Sequence, residues 1–248
     1  MVQGAQSFSR SLNVLQMIAD YDGAPTIADL LSRTDLTRPT LYRILGSLEA
    51  EGLVQRQRDK SYILGIRLVS LARKALADND LRKIARPCLE KLRDETGETV
   101  HLALRSGDEL VYVDKIESTA TVRMTSTIGT RVTFHSTGVG KAFLSAMEPS
   151  DADELIDRLT LSRITRYTTA DKKVLRDIVA QSRQQGFVFD DQENEEGIVC
   201  YGAAICSTGG GPVAAISVSI PTFRLQSDPD FYTAPLQKWS RQISGLLD

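Results

Sequence analysis

Along the first quarter of the chain, apolar residues recur at helical spacing in three short bursts, each closed by polar turn residues. Phe8, Leu12, Leu15 and Ile18/Ala19 make one stripe that stops at Asp22-Gly23. Ile27, Leu30 and Leu31 predict a second helix from about Thr26 to Arg33, and Leu41, Ile44, Leu45 and Leu48 predict a third. Thr34, Asp35 and Leu36 interrupt the period between the last two. Thr37 is placed to cap the third helix by accepting a bond from a first-turn amide, and Pro39 falls in that turn, where a missing N–H costs nothing. After Gly52, the run from Leu53 to Leu64 reads as two strands around a polar tip. Helix, turn, helix and charged ribbon together predict a winged helix-turn-helix, a fold that holds one helix rigidly enough to enter a DNA major groove.

From Ile66 to Ala77 the positions Leu68, Leu71/Ala72 and Ala75/Leu76 mark an amphipathic linker helix. Its apolar face has to be covered, and a second subunit is the expected cover. A further helix is expected from about Leu81 to Thr96, with Asp80 as its cap and Pro87 as a candidate kink. Beyond Gly97 the period changes to two. Thr99–Arg105 and Leu110–Ile116 read as a hairpin around Ser106-Gly107-Asp108, with Val122–Ile128 as a third strand candidate. Helices follow at Gly138–Ala146, Pro149–Leu159 and Thr169–Gln185, then strands at Phe187–Asp190, Ile198–Cys206 and Val213–Ile220, and a last helix at Asp228–Leu247. Strands, then helices, then strands again predict an α+β domain with one antiparallel sheet and flanking helices. The expected divisions are residues 5–66 for the DNA-binding headpiece, 67–79 for the linker helix and 80–248 for the second domain.

Composition narrows the picture. With 248 residues, 42% hydrophobic and 25% charged, the chain is ordinary globular protein. No segment approaches a membrane span, and Met1 to Arg10 lacks an apolar signal region, so a cytoplasmic protein is expected. A sequence pI near 5.8 restricts any DNA-binding charge to a local patch. Cys88, Cys200 and Cys206 form no C-x-x-C pair and sit near no histidine cluster, which argues against a disulfide scaffold and a zinc site; no metal or cofactor is expected.

The positive patch has an address. With the apolar stripe of the third helix buried, Arg38, Thr40, Tyr42, Arg43 and Ser47 point outward, beside Thr37 at the helix start. Arginine forks onto guanine or phosphate, and hydroxyls bond phosphate or base edges. Arg56, Arg58 and Lys60 add charge on the ribbon, suited to the DNA backbone. In the second domain, Val213, Ala215, Ser217 and Ser219 share one side of a strand, opposite the plain core face of Ala214, Ile216, Val218 and Ile220. The side ending in two hydroxyls should meet water or a polar ligand, and Cys200 on a neighbouring strand could share it. Ser136-Thr137-Gly138-Val139-Gly140 leads into a helix whose first amides suit a carboxylate.

These features, together with the exit Tyr62-Ile63-Leu64-Gly65, the motifs Gly97-Glu98-Thr99-Val100 and Gly140-Lys141-Ala142, and the run from Gly186 to Cys200, resemble the IclR family of bacterial transcription regulators over essentially the whole chain. The resemblance implies an N-terminal winged helix-turn-helix, a linker helix and a GAF-like effector domain. It further implies a homodimer or dimer of dimers that binds double-stranded operator DNA and represses catabolic genes in response to a small carboxylate. Carried over from the family's pockets are the Gly138 and Val139 amides for the anionic end, Asp190 for a ligand hydroxyl, Ser217 and Ser219 for further hydrogen bonds, and Cys200 as wall. The stretches Lys115–Ser118, Met124–Gly129 and Pro221–Arg224 look nearest to regulators of sugar-acid degradation, with glyoxylate and aromatic acids open. The Gly138-Val139 pair departs from the Ala and larger residue of many members.

An enzyme is the rival class. Thr137-Gly138-Val139-Gly140-Lys141 superficially matches a phosphate-binding loop, but His135 and Ala142 stand where that loop needs glycine and Ser or Thr. No spacing sets a nucleophile beside a base, so no catalytic residue is expected.

Overall fold

The structure, a computed structural model, describes residues 5–121 and 124–247, arranged in two compact units, Met1–Asp78 and Asn79–Asp248. The first unit holds helices α1 (Ala5–Ala19), α2 (Ile27–Leu31) and α3 (Arg38–Ala50), the antiparallel ribbon β1 (Val54–Arg56) and β2 (Tyr62–Leu64), and helix α4 (Arg67–Ala77). A reciprocal cap starts α2: the Thr26 hydroxyl accepts from the Asp29 amide while the Asp29 carboxylate accepts from the Thr26 amide. Thr37 does occupy the cap position of α3, but its hydroxyl makes no cap bond and pairs instead with the Thr40 hydroxyl at 2.9 Å. The core gathers Val14, Ile18, Leu30, Leu41, Ile44, Leu45, Leu48, Val54 and Tyr62. Phe8 and Leu12, expected in the buried stripe, are exposed, because packing onto α3 and β2 engages the later turns of α1. At Gly65 a side chain would overlap the backbone of Gly52 and Leu53, so the exit from the wing requires glycine.

The second unit is a six-stranded antiparallel sheet in the order β5-β4-β3-β8-β7-β6. Its strands are β3 (Thr99–Ser106), β4 (Glu109–Ile116), β5 (Arg131–Val132), β6 (Val188–Asp191), β7 (Ile198–Cys206) and β8 (Pro212–Pro221). Helices α5 (Asp80–Thr96) and α9 (Asp230–Gly245) cover one face; α6 (Gly138–Ala146), α7 (Pro149–Arg158) and α8 (Lys172–Gln185) lie on the other. Alternation along β7 shows the two sides: Tyr201 stacks on Tyr232 of α9, whereas Cys200 and Gly202 meet Gly138 of α6. The α6 side is filled by Ala103, Leu110, Phe134, Val139, Phe143, Leu144, Leu155, Leu175, Val179 and Ala215, among others.

Three local expectations are corrected here. Asn79, not Asp80, caps α5, accepting from the Arg82 amide at 2.8 Å. Residues 124–128 of the expected strand Val122–Ile128 are not extended into the sheet, and Val122 and Arg123 lie outside the described residues. The Lys115 ammonium takes the carbonyls of Met124 and Ser126 at 2.8 and 2.7 Å, which a strand would offer to a neighbour, and backbone bonds to β4 begin only at Gly129 and Thr130, which bond Tyr112. The Ser217/Ser219 side of β8 does not meet bulk water, since Ala215, Ser217 and Ser219 are all buried, and of the two hydroxyls only that of Ser219 borders a cavity.

Candidate functional site

In the first unit, Arg38, Tyr42, Arg43 and Ser47 stand exposed along α3, Thr37 is exposed at its start and Thr40 is half-buried. The Ser47 hydroxyl donates to the Arg43 carbonyl at 3.0 Å, leaving its oxygen free to accept. Arg56, Arg58 and Lys60 are exposed on the wing, whose tip is folded by the Ser61 amide and hydroxyl donating to Asp59. Lys60 takes the left-handed conformation at φ 69°, which turns the ribbon sharply. Among the described residues none of these five cations has an ion-pair partner. The fold adds a group that the periodicity of α3 alone could not supply: Ser7, Arg10 and Ser11 of α1 face Thr40, Arg43 and Ser47 across a shared groove. Their i, i+3, i+4 spacing on a polar face is the signal that could have found them.

In the second unit, a cavity of about 280 Å³ opens where β3, β4, β7 and β8 pass the start of α6. Asp190, Cys200 and Ser219 line it, joined by His101 and Tyr112 from β3 and β4, Met124 and Ser126 from the following loop, Asn194 and Glu195 from the turn after β6, and Ile198 at the start of β7. Strand register makes this meeting: Cys200 pairs with Ser219, and His101 pairs with Ser217. A bulge at Leu102/Ala103 sets Tyr112 opposite Ala103, where its ring stacks on His101 at 4.5 Å. One chain of hydrogen bonds crosses the wall: the Cys200 thiol donates to Ser219 Oγ at 3.2 Å, Ser219 Oγ meets His101 Nδ1 at 3.2 Å, and His101 Nε2 meets Ser126 Oγ at 2.7 Å.

Burial sets the charge states. It pulls His101 down to about 3, with Lys115 adding to the effect, so the imidazole is neutral and offers one donor and one acceptor. Burial also pushes the Cys200 thiol and the Tyr112 phenol well above their ordinary ranges, so both stay protonated. Asp190 is 1% exposed, and burial raises its carboxyl to about 7 against the opposing pull of Lys141 and of amide bonds from Glu193 and Gly138.

The remaining expected residues sit around this cavity without lining it. The Gly138 amide helps to hold the Asp190 carboxyl down, and the Gly140 amide is capped by Thr137 Oγ1 at 3.0 Å. Val139 is fully buried in the core, and Ser217 lies beneath the sheet face between His101 and Gly202. A Cβ on Gly138 would come within a tight 3.1 Å of the Cys200 Cβ, whereas one on Gly202 would overlap the Gly138 carbonyl, so α6 can start this close to β7 only because position 202 is glycine. A larger cleft of about 700 Å³ lies between α8, α9 and the end of α6, but none of the expected residues lines it. There, Arg183 is engaged by the carbonyls of Ser145 and Met147.

The first unit thus presents an exposed basic helix and wing, and the second a cavity lined by polar and apolar side chains. Residues 7–58 match the IclR helix-turn-helix domain, and residues 73–245 match the bacterial transcriptional regulator IclR C-terminal domain. The chain belongs to the IclR family of bacterial transcriptional regulators. It is 31% identical over 226 residues to the acetate operon repressor of Salmonella typhimurium, covering 90% of this chain and 82% of that one. The crystal structure of the Thermotoga maritima IclR superposes with a TM-score of 0.71 at 29% identity, covering 98% of this chain and 99% of that one. An IclR homolog from Microbacterium hydrocarbonoxydans, solved in complex with 4-hydroxybenzoate, shares the fold with a TM-score of 0.77 at 23% identity, covering 97% and 98%. Members of the IclR family regulate transcription and are not enzymes, and this member is a DNA-binding transcription regulator with a C-terminal effector domain. No helix among its described residues is long and apolar enough to cross a membrane.

Proposed function

We propose that the protein is a cytoplasmic repressor, dimeric or a dimer of dimers, that releases operator DNA when a small carboxylate enters the effector cavity. The cavity itself carries this reading: it places Asp190, Cys200, Ser219 and the neutral His101 around a space of about 280 Å³. That volume is near the lower end of small-molecule sites and suits an acid of few atoms. A relative named for the acetate operon and a neighbour holding 4-hydroxybenzoate support an acid effector, and sugar acids or 2-keto acids are included in the class. On the DNA side, Thr37, Arg38, Thr40, Tyr42, Arg43 and Ser47 would face the major groove, and Arg56, Arg58 and Lys60 the backbone. The division into a headpiece (5–66), linker (67–79) and effector domain (80–248) follows the same reading. Self-association through α4 is supported by its uncovered apolar residues: Val69 and Leu71 are 62% and 53% exposed, Ile66 just before the helix is 82% exposed, and no residue of the helix is buried. A coupling of about 1–3 kcal/mol between acid and operator would suffice for regulation.

A thermal-shift panel of keto, hydroxy and aromatic acids, followed by binding to the intergenic DNA flanking its gene, tests the proposal. At least one acid should raise Tm and weaken DNA binding, and Ser217→Ala with Ser219→Ala should blunt both effects while sparing DNA affinity without acid. An undiminished response in the double variant would place the effector elsewhere.

A further inference from the structure

The cavity presents an electrostatic problem for any anion. Among the described residues, its lining contains two carboxyl groups, Asp190 in the wall and Glu195 at the rim, and no lysine or arginine. The cations nearby are already committed. Lys141 of α6, fully buried, is ion-paired with Glu193 and also donates to the Phe189 carbonyl at 3.5 Å. Lys115 of β4 holds the Met124 and Ser126 carbonyls and Glu117. At the start of α6 the Gly140 amide is already capped by Thr137, and the Gly138 amide acts on Asp190. The other titratable groups facing Asp190 are Cys200 of β7 and Tyr112 of β4, both neutral, with Glu193 behind it and Glu195 beside it adding negative charge. An ionised acid placed against an ionised Asp190 would be two like charges in a buried space, which cannot both persist.

We propose that the cavity takes its acid together with one proton, carried by Asp190, so that the ligand is held in a carboxylic acid–carboxylate pair. The inference rests on the acid-effector reading above and adds the chemistry of recognition. One Asp190 oxygen keeps the Glu193 amide bond (2.9 Å), while the protonated oxygen turns to the ligand. An O–H donated to a carboxylate is a short, strong bond, and the shared proton replaces the missing cation. A carboxyl with its midpoint at about 7 is poised to accept that proton near neutrality. The arrangement selects monoanionic carboxylates over dianionic phosphate esters, for which one proton is too few.

Acetate and its neutral isostere acetamide test this by isothermal titration on the intact protein from pH 6 to 8.5, where acetate stays ionised. Acetate affinity should fall about tenfold per pH unit above neutrality, while acetamide affinity stays level. Comparing buffers of different ionisation enthalpy should show uptake of close to one proton per acetate at the alkaline end. Asp190→Asn, which fixes the neutral form, should bind acetate with no pH dependence, and Glu195→Gln should strengthen binding while leaving the slope in place. A flat acetate profile in the wild-type protein would overturn the proposal, as would a folded Asp190→Asn variant that binds acetamide but not acetate. If acetate does not bind, the same pH series is read with whichever acid of the panel does; no acid binding at any pH would instead overturn the acid-effector reading, and this proposal with it.

Discussion

Replacing Arg56, Arg58 and Lys60 together with alanine isolates what the wing contributes to DNA binding. All three are exposed and unpaired among the described residues, so their loss should change stability by only about 0.5 kcal/mol each way. Each phosphate neutralised adds about 0.9 to the slope of log affinity against log salt, so five cations per headpiece (these three with Arg38 and Arg43) predict a slope near ~4.5. Removing the wing leaves ~1.8, or about two-fifths, and that fraction holds however many headpieces engage one duplex. Between ~50 and ~200 mM salt, one wild-type headpiece should lose roughly 500-fold in affinity and the triple variant roughly 12-fold. Fluorescence anisotropy with a labelled duplex of arbitrary sequence suffices, because this part of the interaction ignores sequence. Lys74→Ala is the control, since Lys74 is an exposed cation on α4 paired with Asp78 at 2.8 Å, and its loss should leave the slope alone. A triple variant that keeps the wild-type slope would show that the ribbon does not touch DNA.

Two further outcomes concern the ground beneath the cavity. Lys141→Met strands Glu193 as a buried unpaired carboxylate and should cost about 3–5 kcal/mol in urea denaturation, with Glu193→Gln added to it restoring much of the loss; a penalty below ~1 kcal/mol would show the pair to be solvated. Because the Asp190 carboxyl is raised from 3.8 to about 7 in the folded state, the native protein binds the extra proton between those values, so stability should decline as pH rises through that window, by at most roughly 4 kcal/mol. Asp190→Asn should remove that decline, and parallel pH profiles for the two proteins would refute the assignment.

Periodicity made most of the elements legible because each is set by neighbours in sequence. The four apolar positions of α3 are the four it buries, and α6 and β7 begin and end where their patterns do. The errors arose where a distant group decided the local outcome. Lys115 is such a group: no pattern within residues 122–128 discloses that an ammonium from β4 will take their carbonyls. Phe8 and Leu12 carry a helical stripe that is correct as a helix and wrong as a core, since the spacing of one helix does not say how far its partner extends.

The cavity was legible only in part for a related reason. Alternation assigns Ser219 and Cys200 to sides of their strands, but their meeting with His101, 118 positions from Ser219, depends on register and on a bulge that no single strand encodes. His101 did carry a signal, as the one imidazole inside an apolar strand, a place where a buried ring needs partners for both nitrogens. The anion site inferred from free amides at the start of α6 illustrates a stricter limit. A buried amide without a partner is too costly to persist, so the folded chain must satisfy such a site before any ligand arrives. Here the Gly140 amide takes the Thr137 hydroxyl, and the carboxylate of Asp190 stands by the Gly138 amide. Free amides in a sequence therefore mark where an anion belongs, and the structure decides whose anion it is. In this protein the resident anion is itself the group that has to change protonation state for a second one to enter.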